Sequence, residues 1–277
     1  MYADCHMHMV LDGVDWRNAI QRHAQRPQEG YIRRMLQTYQ DRGITYLRDG
    51  GDRWGAGAKA RELAPEYGIT YRTPLAPLCL KGHYGAFIGA VYADLGEYAR
   101  LVLQQKQQGA DFVKIMISGL MDFHQYGVLT EPGLPKDMIR QLVHIAHQEG
   151  MAVMAHANGA ETVLAAAEAG VDSVEHGAYQ NEESIAAMAQ MGTVWVPTVS
   201  TVGNLLGKGR FPDDQVQRIL EDTLQKLADY KGLVAPGTDA GAWAVPHGSI
   251  TEEPLMAQAG IDKARLKAGI CQIVKKF

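Results

Sequence analysis

The chain has 277 residues, of which 46% are hydrophobic, so it can bury a full core as one large domain or two ordinary ones and is not a disordered chain. A formal net charge of −4 with no basic stripe excludes a nucleic-acid partner and favours a small-molecule one. Three scattered cysteines form no disulfide framework and predict a location in the reducing cytoplasm. No apolar run reaches the ~20 residues that a membrane-spanning helix needs. Assembly into a homo-oligomer is compatible with the sequence.

The first predicted element is a strand over "YADCHMH". Side chains alternate between the two faces of a strand, so Asp4, His6 and His8 are predicted to share one face. Two imidazoles would then reach into the same space. A tag or a disordered terminus is the alternative interpretation of this spacing.

A pattern of helix, glycine and short apolar run recurs along the rest of the chain. The glycines stand where a helix C-cap needs a left-handed residue, and the runs that follow are predicted strands. These glycines are Gly43, Gly68, Gly109, Gly150, Gly170, Gly192 and Gly232. Runs such as "FVKIMI" and "VWV" are apolar throughout, which is typical of parallel strands buried on both faces.

Together with the opening strand, the pattern gives eight β/α units. Eight units in this length predict an α/β fold of the TIM (β/α)8 barrel type, with residues 1–277 as a single domain. A doubly wound open sheet is the runner-up. In a TIM barrel the active face is formed where the strands end, so the residues at the strand ends become the candidate site.

Those strand ends carry ligand-type side chains. Imidazoles and carboxylates that converge from several strands suit zinc and similar divalent ions. The candidates are His6, His8, Lys114, His156, His176 and Asp239, with Asp49, His83 and Thr198 ending or following the remaining strands. For either His156 or His176 alone, a hydrogen-bonded core histidine is the simpler interpretation, but their joint placement favours a metal site.

Lys114 interrupts an otherwise apolar strand, where a bare ammonium is costly to bury. A lysine that reaches solvent along its stem is the alternative. A buried lysine readily loses its proton, and the neutral amine can add carbon dioxide to become a carbamate. Such a carbamate is an anionic group able to bridge two metal ions.

The motifs in this order resemble the amidohydrolase superfamily of metal-dependent hydrolases. They are "DCHMH", "VKIMISG", "MAHANG", "VEHGAY" and "GTDAG". The phrases "GITYLRDGG" and "KGHYGAF" look most like the imidazolonepropionase and prolidase-like branch, whose members hydrolyse cyclic amides or dipeptides.

The resemblance implies two divalent metal ions, zinc being the expected metal, with Lys114 as a carbamate formed from carbon dioxide. One ion would take His6, His8, Lys114 and Asp239, and the other Lys114, His156 and His176. Many relatives add a β-sandwich subdomain, which we expect this chain to lack, as a natural minimal barrel or as a fragment.

Candidate substrate contacts follow the same strands. His83 and Tyr84 lie where relatives contact substrate, although an ordinary glycine-rich turn is equally compatible. Arg48 could bind a substrate carboxylate or form a structural ion pair. Tyr179 and His247 are further candidates.

The expected reaction is hydrolysis of an amide-type C–N bond by a metal-bridging hydroxide, with Asp239 as the general base and then the general acid. Lactone or phosphotriester hydrolysis on the same site is an alternative, and a non-catalytic metal-binding barrel is another. Deamination is disfavoured because Gly159 stands where deaminase-like members carry a glutamate.

Overall fold

The computed structural model describes residues 2–277, in which parallel strands alternate with helices. The strands are β1 (Tyr2–Met7), β2 (Ile44–Asp49), β3 (Thr70–Arg72), β4 (Leu78–Leu80), β5 (Ala90–Tyr92), β6 (Val113–Met116), β7 (Val153–Ala157), β8 (Ser173–His176) and β9 (Val194–Val196). The helices are α1 (Trp16–His23), α2 (Glu29–Asp41), α3 (Ala56–Leu63), α4 (Leu95–Gln107), α5 (Lys136–Gln148), α6 (Ala160–Ala169), α7 (Glu182–Met191), α8 (Ser200–Gly203), α9 (Asp213–Asp229), α10 (Glu252–Gln258) and α11 (Lys263–Lys276), and Ala64–Tyr67 form a 3-10 turn.

The strands pair in two parallel sheets whose order largely follows the sequence. One sheet is β1-β2-β3 and the other is β5-β4-β6-β7-β8-β9. The third predicted strand is divided, since β3 pairs with β2 whereas β4 pairs with β6. Pro74 and Pro77 stand in the interruption and cannot donate ladder hydrogen bonds. The edge strand β5 was not predicted.

Residues 233–240, the predicted eighth strand, lie between β9 and β1 as an irregular segment. Trp195 donates to the carbonyl of Leu233 at 2.9 Å, and the amide of Asp239 donates to the carbonyl of His6 at 2.7 Å. This segment therefore joins an edge of one sheet to an edge of the other. The sequential strand order and this connection make the fold TIM-barrel-like rather than doubly wound.

The glycines before the strands act mostly as predicted. Gly170 and Gly192 are left-handed C-caps of α6 and α7. The expectation for Gly232 is wrong: α9 ends at Asp229, and the next residue, Tyr230, turns into an extended conformation. The Tyr230 hydroxyl bonds the carbonyl of Thr193 at 2.8 Å, which anchors this chain reversal without a left-handed glycine.

Most of the apolar core lies between the strands and the surrounding helices. A smaller cluster is formed by side chains of the strands and of α11, among them Phe112, Met154, Val196 and Ile273. Across residues 2–277, no helix is both long enough and apolar enough to cross a bilayer.

Candidate metal centre

Two histidines of β1 and its following turn meet an aspartate from the 233–240 segment. The Nε2 atoms of His6 and His8 lie 3.4 Å apart, and Asp239 Oδ1 lies 3.6 Å from the first and 3.3 Å from the second. One ligand atom from each residue thus falls within 4.8 Å of the other two. Within the described residues Asp239 Oδ1 accepts no hydrogen bond, so it is available to a cation.

Asp4 does not join this group, contrary to the simple alternation of a strand. Its carboxylate accepts from the amide of Thr238 at 2.9 Å and from the hydroxyl of Thr238 at 2.6 Å. The register between β1 and β2 shifts between Asp4 and Met7. The Asp4 carboxylate is thus held by Thr238 and is not part of the group formed by His6, His8 and Asp239.

The other two predicted histidine ligands form a second group beside the first. The rings of His156 and His176 are 4.5 Å apart between centroids, and the His6 ring lies 5.1 Å from that of His176. His176 Nδ1 contacts the hydroxyl of Thr198 at 2.7 Å, and His156 Nε2 lies 3.2 Å from the carbonyl of Gly119. Four imidazoles therefore converge at the carboxyl ends of the strands.

Burial keeps these imidazoles neutral. Removal from water, reinforced by the nearby charge of Lys114, lowers the pKa of His8 and of His156 to about 3. Burial likewise lowers the pKa of His6 and His176 well below the usual value. A neutral imidazole keeps a free lone pair, which is the form that binds a metal ion.

Lys114 is buried in β6 with 1% of its surface exposed. Its Nζ has no hydrogen-bond partner among the described residues. Burial is the main cause that lowers the pKa of Lys114, while burial raises the pKa of Asp239. An unpartnered amine at this depth is costly unless it is neutral or modified, and solvent does not reach it along its stem.

Glu175, one residue before His176, was missed by the sequence analysis. Its Oε2 lies 2.8 Å from His6 Nδ1, at ion-pair distance but without the in-line geometry of a hydrogen bond. Its Oε1 accepts from Arg48 at 2.8 Å and from the hydroxyl of Ser173. The signal was present in "SVEH", where Ser173 and Glu175 alternate in the buried strand that ends at His176.

Arg48 is fully buried and pairs with Glu175. It donates to the carbonyl of Cys5 at 2.7 Å and to Ser173 at 2.9 Å, in addition to Glu175. All three guanidinium nitrogens are thus engaged by the protein, which favours the structural ion pair over a substrate contact.

His247 is likewise enclosed. Its Nδ1 lies 3.0 Å from the Tyr39 hydroxyl and its Nε2 lies 2.9 Å from the carbonyl of Leu11. Both ring nitrogens are therefore satisfied by groups from distant segments, and the structure does not bring His247 to the ligand group.

Tyr84 and His83 lie on the loop after β4. The Tyr84 ring is 4.9 Å from that of His156, and its backbone amide donates to Glu131. His83 Nδ1 lies 3.6 Å from the other oxygen of Glu131. Tyr179 follows β8 in a left-handed conformation, and its buried hydroxyl has no partner among residues 2–277. Tyr84 is therefore the substrate candidate that directly adjoins a ligand histidine.

Sequence comparison identifies the family that carries this geometry. Residues 3–212 match the sequence model of the amidohydrolase family. The chain belongs to the amidohydrolase family. This confirms the resemblance found from the strand-end motifs.

Individual relatives of this amidohydrolase chain are distant in sequence. Ochratoxinase of Aspergillus niger is 28% identical over 192 residues, which cover 64% of this chain and 36% of that enzyme. An uncharacterized protein of Mycobacterium tuberculosis is 28% identical over 169 residues, which cover 58% of this chain and 45% of that protein. The chain thus spans less than half the length of these curated relatives.

Solved structures share the fold along nearly the whole amidohydrolase chain. A Xaa-Pro dipeptidase with bound methionine in its active site superposes with a TM-score of 0.76, at 21% identity, over 99% of this chain and 75% of that one. The structure of A. niger ochratoxinase superposes with a TM-score of 0.77, at 20% identity. The match covers 98% of this chain and 68% of the ochratoxinase chain. Identities at this level establish the fold alone.

Two glycines of this family member lie directly against His6 and His8. A Cβ on Gly50 would lie 2.1 Å from Cε1 of His8, and a Cβ on Gly237 would lie 2.8 Å from Cβ of His6. A larger residue at Gly50 would displace the His8 ring, and one at Gly237 would meet the Val196 side chain and the Cβ of His6, so the close backbone approach is part of the site.

Proposed function

We propose that this chain is a metal-dependent hydrolase that cleaves an amide-type C–N bond, in a dipeptide or a cyclic amide. The observation that carries the proposal is the convergence of His6, His8 and Asp239 within 4.8 Å, beside a buried, unpartnered Lys114. Family membership and the fold shared with a Xaa-Pro dipeptidase support the same bond class.

The donor set fits two divalent cations, for which zinc is the expected metal. His6, His8 and Asp239 would hold one ion, and His156 and His176 would hold the other. Addition of carbon dioxide to the neutral amine of Lys114 would convert it into a carbamate, an anion with two donor oxygens. One oxygen would then be available to each of the two cations. The absence of any protein partner for the Lys114 nitrogen supports this modification.

Bound divalent ions polarise a carbonyl and lower the pKa of water toward ~7, which supplies the nucleophile for hydrolysis. Asp239 provides the proton transfer. With Oδ1 assigned to the cation, the other oxygen of the Asp239 carboxylate would accept the proton of the attacking water and then donate it to the nitrogen of the departing amine. The Tyr84 ring lies 4.9 Å from that of His156 and would shield one side of the site from water.

We further propose the setting of this activity. Residues 233–240 would complete an eight-stranded (β/α)8 barrel that occupies residues 1–277 as one domain. The substrate would be a small molecule encountered in the cytoplasm, and no nucleic-acid or membrane partner is expected.

A substrate panel with a metal control tests the proposed reaction. Protein loaded with zinc and protein stripped by a chelator are compared on dipeptides, lactams, lactones and phosphotriesters, and the released amine, acid or alcohol is measured by chromatography. We expect amine release by the loaded protein only. Hydrolysis confined to lactones or phosphotriesters would contradict the bond assignment, and a loaded protein inactive on every class would indicate a non-catalytic metal-binding barrel.

A further inference from the structure

A row of aromatic side chains leads from the protein surface to the candidate metal centre. The ring of Trp16 meets that of Phe87 edge-on at 5.3 Å, and Phe87 lies 5.8 Å from Tyr84. Tyr84 in turn lies 4.9 Å from His156. We refer to Trp16, Phe87 and Tyr84 as the aromatic wall.

The wall stands on the face of the fold where the strands end. Trp16 is the first residue of α1, after the turn that follows β1 and carries His8. Phe87 and Tyr84 belong to the loop after β4, on the same side as His156 at the end of β7. The three rings therefore lie on the face of the fold that carries the ligand residues.

The loop that carries two of these rings is held in place by its backbone. The amide of Gly89 donates to the carbonyl of Gly85 at 2.8 Å, and the amide of Arg53 donates to the carbonyl of Ile88 at 2.9 Å. Gly85 packs so closely that a Cβ there would lie 2.7 Å from the Met116 side chain. The wall is thus preorganised, which lowers the entropic cost of binding a ligand against it.

The outer end of the wall is exposed to solvent. Trp16 is 43% exposed, and Phe87 and Tyr84 are half-buried. Exposed aromatic surface that continues into a polar centre is typical of a ligand site, where apolar rings supply contact area and a few polar groups fix orientation. Aromatic rings prefer edge-to-face or offset contact with another ring, so a flat ring is the group that best fits against them.

We propose that the aromatic wall is a substrate subsite that selects amides with a flat aromatic ring next to the scissile bond. This proposal rests on the proposed hydrolytic function, because a substrate subsite is meaningful only if the residues beside the wall catalyse that reaction. A small aliphatic group would leave the three rings uncovered and would bind less tightly.

Binding of a neutral aromatic amide tests the wall without requiring hydrolysis. The probe is 4-fluorobenzamide, followed by fluorine-19 NMR in metal-stripped and zinc-loaded protein, with acetamide as a non-aromatic competitor. We expect the probe to bind both forms and acetamide not to displace it. Trp16→Ala and Phe87→Ala should each weaken binding by about tenfold, the scale of losing one apolar contact surface.

The matched control is Tyr2→Ala, which removes an aromatic ring of 58% exposure at the opposite end of β1. It should leave probe binding unchanged, and circular dichroism shows that each variant is folded. Absence of probe binding, or equal binding by all the variants, would overturn the subsite. A Trp16→Ala protein that binds the probe normally but loses concentration-dependent self-association would also overturn it, because the wall would then be an interface between copies.

Selectivity in catalysis gives the second measurement. For paired amides that differ only in phenyl against methyl beside the scissile bond, the ratio of kcat/KM should favour phenyl and fall about tenfold in Phe87→Ala. If the wall variants weaken probe binding but the protein hydrolyses no amide, the proposed function is refuted and the binding site is not. Amide hydrolysis with no preference for phenyl would refute the subsite alone.

Discussion

Glu175 Oε2 lies 2.8 Å from Nδ1 of His6, and both side chains are fully buried. The second oxygen of Glu175 is held by Arg48 and Ser173. The carboxylate therefore favours a proton on Nδ1 of His6 and leaves Nε2 free on the side that faces His8 and Asp239. Carboxylates in this position orient metal-binding histidines and raise their basicity.

Replacing Glu175 by glutamine should weaken metal binding. The amide keeps the shape of the side chain but removes the charge that favours the Nδ1–H form of His6, so we expect metal affinity to fall by about 10–100-fold. Competition with a chromophoric chelator measures the affinity. Nitrogen-15 shifts of the His6 ring in metal-free protein should change from one tautomer to a mixture.

Ser173→Ala is the matched control for Glu175→Gln, since it removes a neighbouring hydroxyl and leaves the carboxylate. Its metal affinity and His6 tautomer should stay close to wild type. Glu175→Gln also leaves the charge of Arg48 without its counter-charge, which should cost about 3–5 kcal/mol of unfolding free energy. A Glu175→Gln protein with wild-type metal affinity would show that Glu175 serves stability only.

Asp239→Asn should lower kcat far more than it changes KM. An asparagine oxygen still approaches a cation but cannot carry the proton from water to the leaving amine, so the loss in kcat should be at least ~10²-fold. Steady-state kinetics on the best substrate of the panel measures both constants. Near-normal kcat would assign the proton transfer to another residue.

Lys114→Ala should lose both metal and activity, because it removes the proposed carbamate anion that would offset two neighbouring cations. A short carboxylic acid such as propionate should partly restore both by filling the vacated space, whereas Lys114→Arg should resist rescue because arginine fills that space and stays cationic. In wild-type protein, carbon-13 bicarbonate should give a carbamate signal. An unmodified amine in active, metal-loaded protein would disprove the bridge.

Asp172 gives the fold a pH dependence that is separate from the metal centre. Burial opposes its ionisation, but hydrogen bonds from His147, Lys276 and the amide of Val153 outweigh this and lower the pKa below the usual 3.8. Stability from the ionised group is therefore full above the unfolded pKa and is lost as the pH falls through the lower folded pKa.

Asp172→Asn should accordingly reduce the unfolding free energy by about 1–3 kcal/mol at pH 7. The difference from wild type should shrink as the pH falls below the usual aspartate value of 3.8. Urea unfolding at several pH values measures the difference. A constant difference down to pH 3 would contradict this assignment.

The sequence predicts the elements whose signals are local. Glycines such as Gly170 mark helix ends because only the backbone of that residue has to turn. His6 and His8 were predicted to reach into the same space, and they do, whereas Asp4 is held by Thr238, a partner 234 residues away that the local pattern does not indicate.

Partners that lie far apart in the sequence escaped prediction. Glu175 and Arg48 are 127 residues apart, and His247 and Tyr39 are 208 apart, so their contacts exist only once the sheet has formed. The alternation of polar and apolar residues along a strand indicates that a polar side chain is buried. It does not indicate which distant residue will contact that side chain. Pro74 and Pro77 could have indicated that the third strand is interrupted after Arg72. Residues 233–240 pair only through isolated bridges, so they do not form a regular strand.

Elemental analysis of the purified protein, after incubation with excess zinc and desalting, tests the two-metal site most directly. The side chains assigned as ligands are more than one tetrahedral ion needs, so the account predicts close to two divalent ions per chain. His6→Ala and His176→Ala, which each remove a ligand from a different proposed ion, should both retain fewer ions than wild type. A reproducible content near one would contradict the paired-ion arrangement, and a content near zero would contradict the metal centre itself.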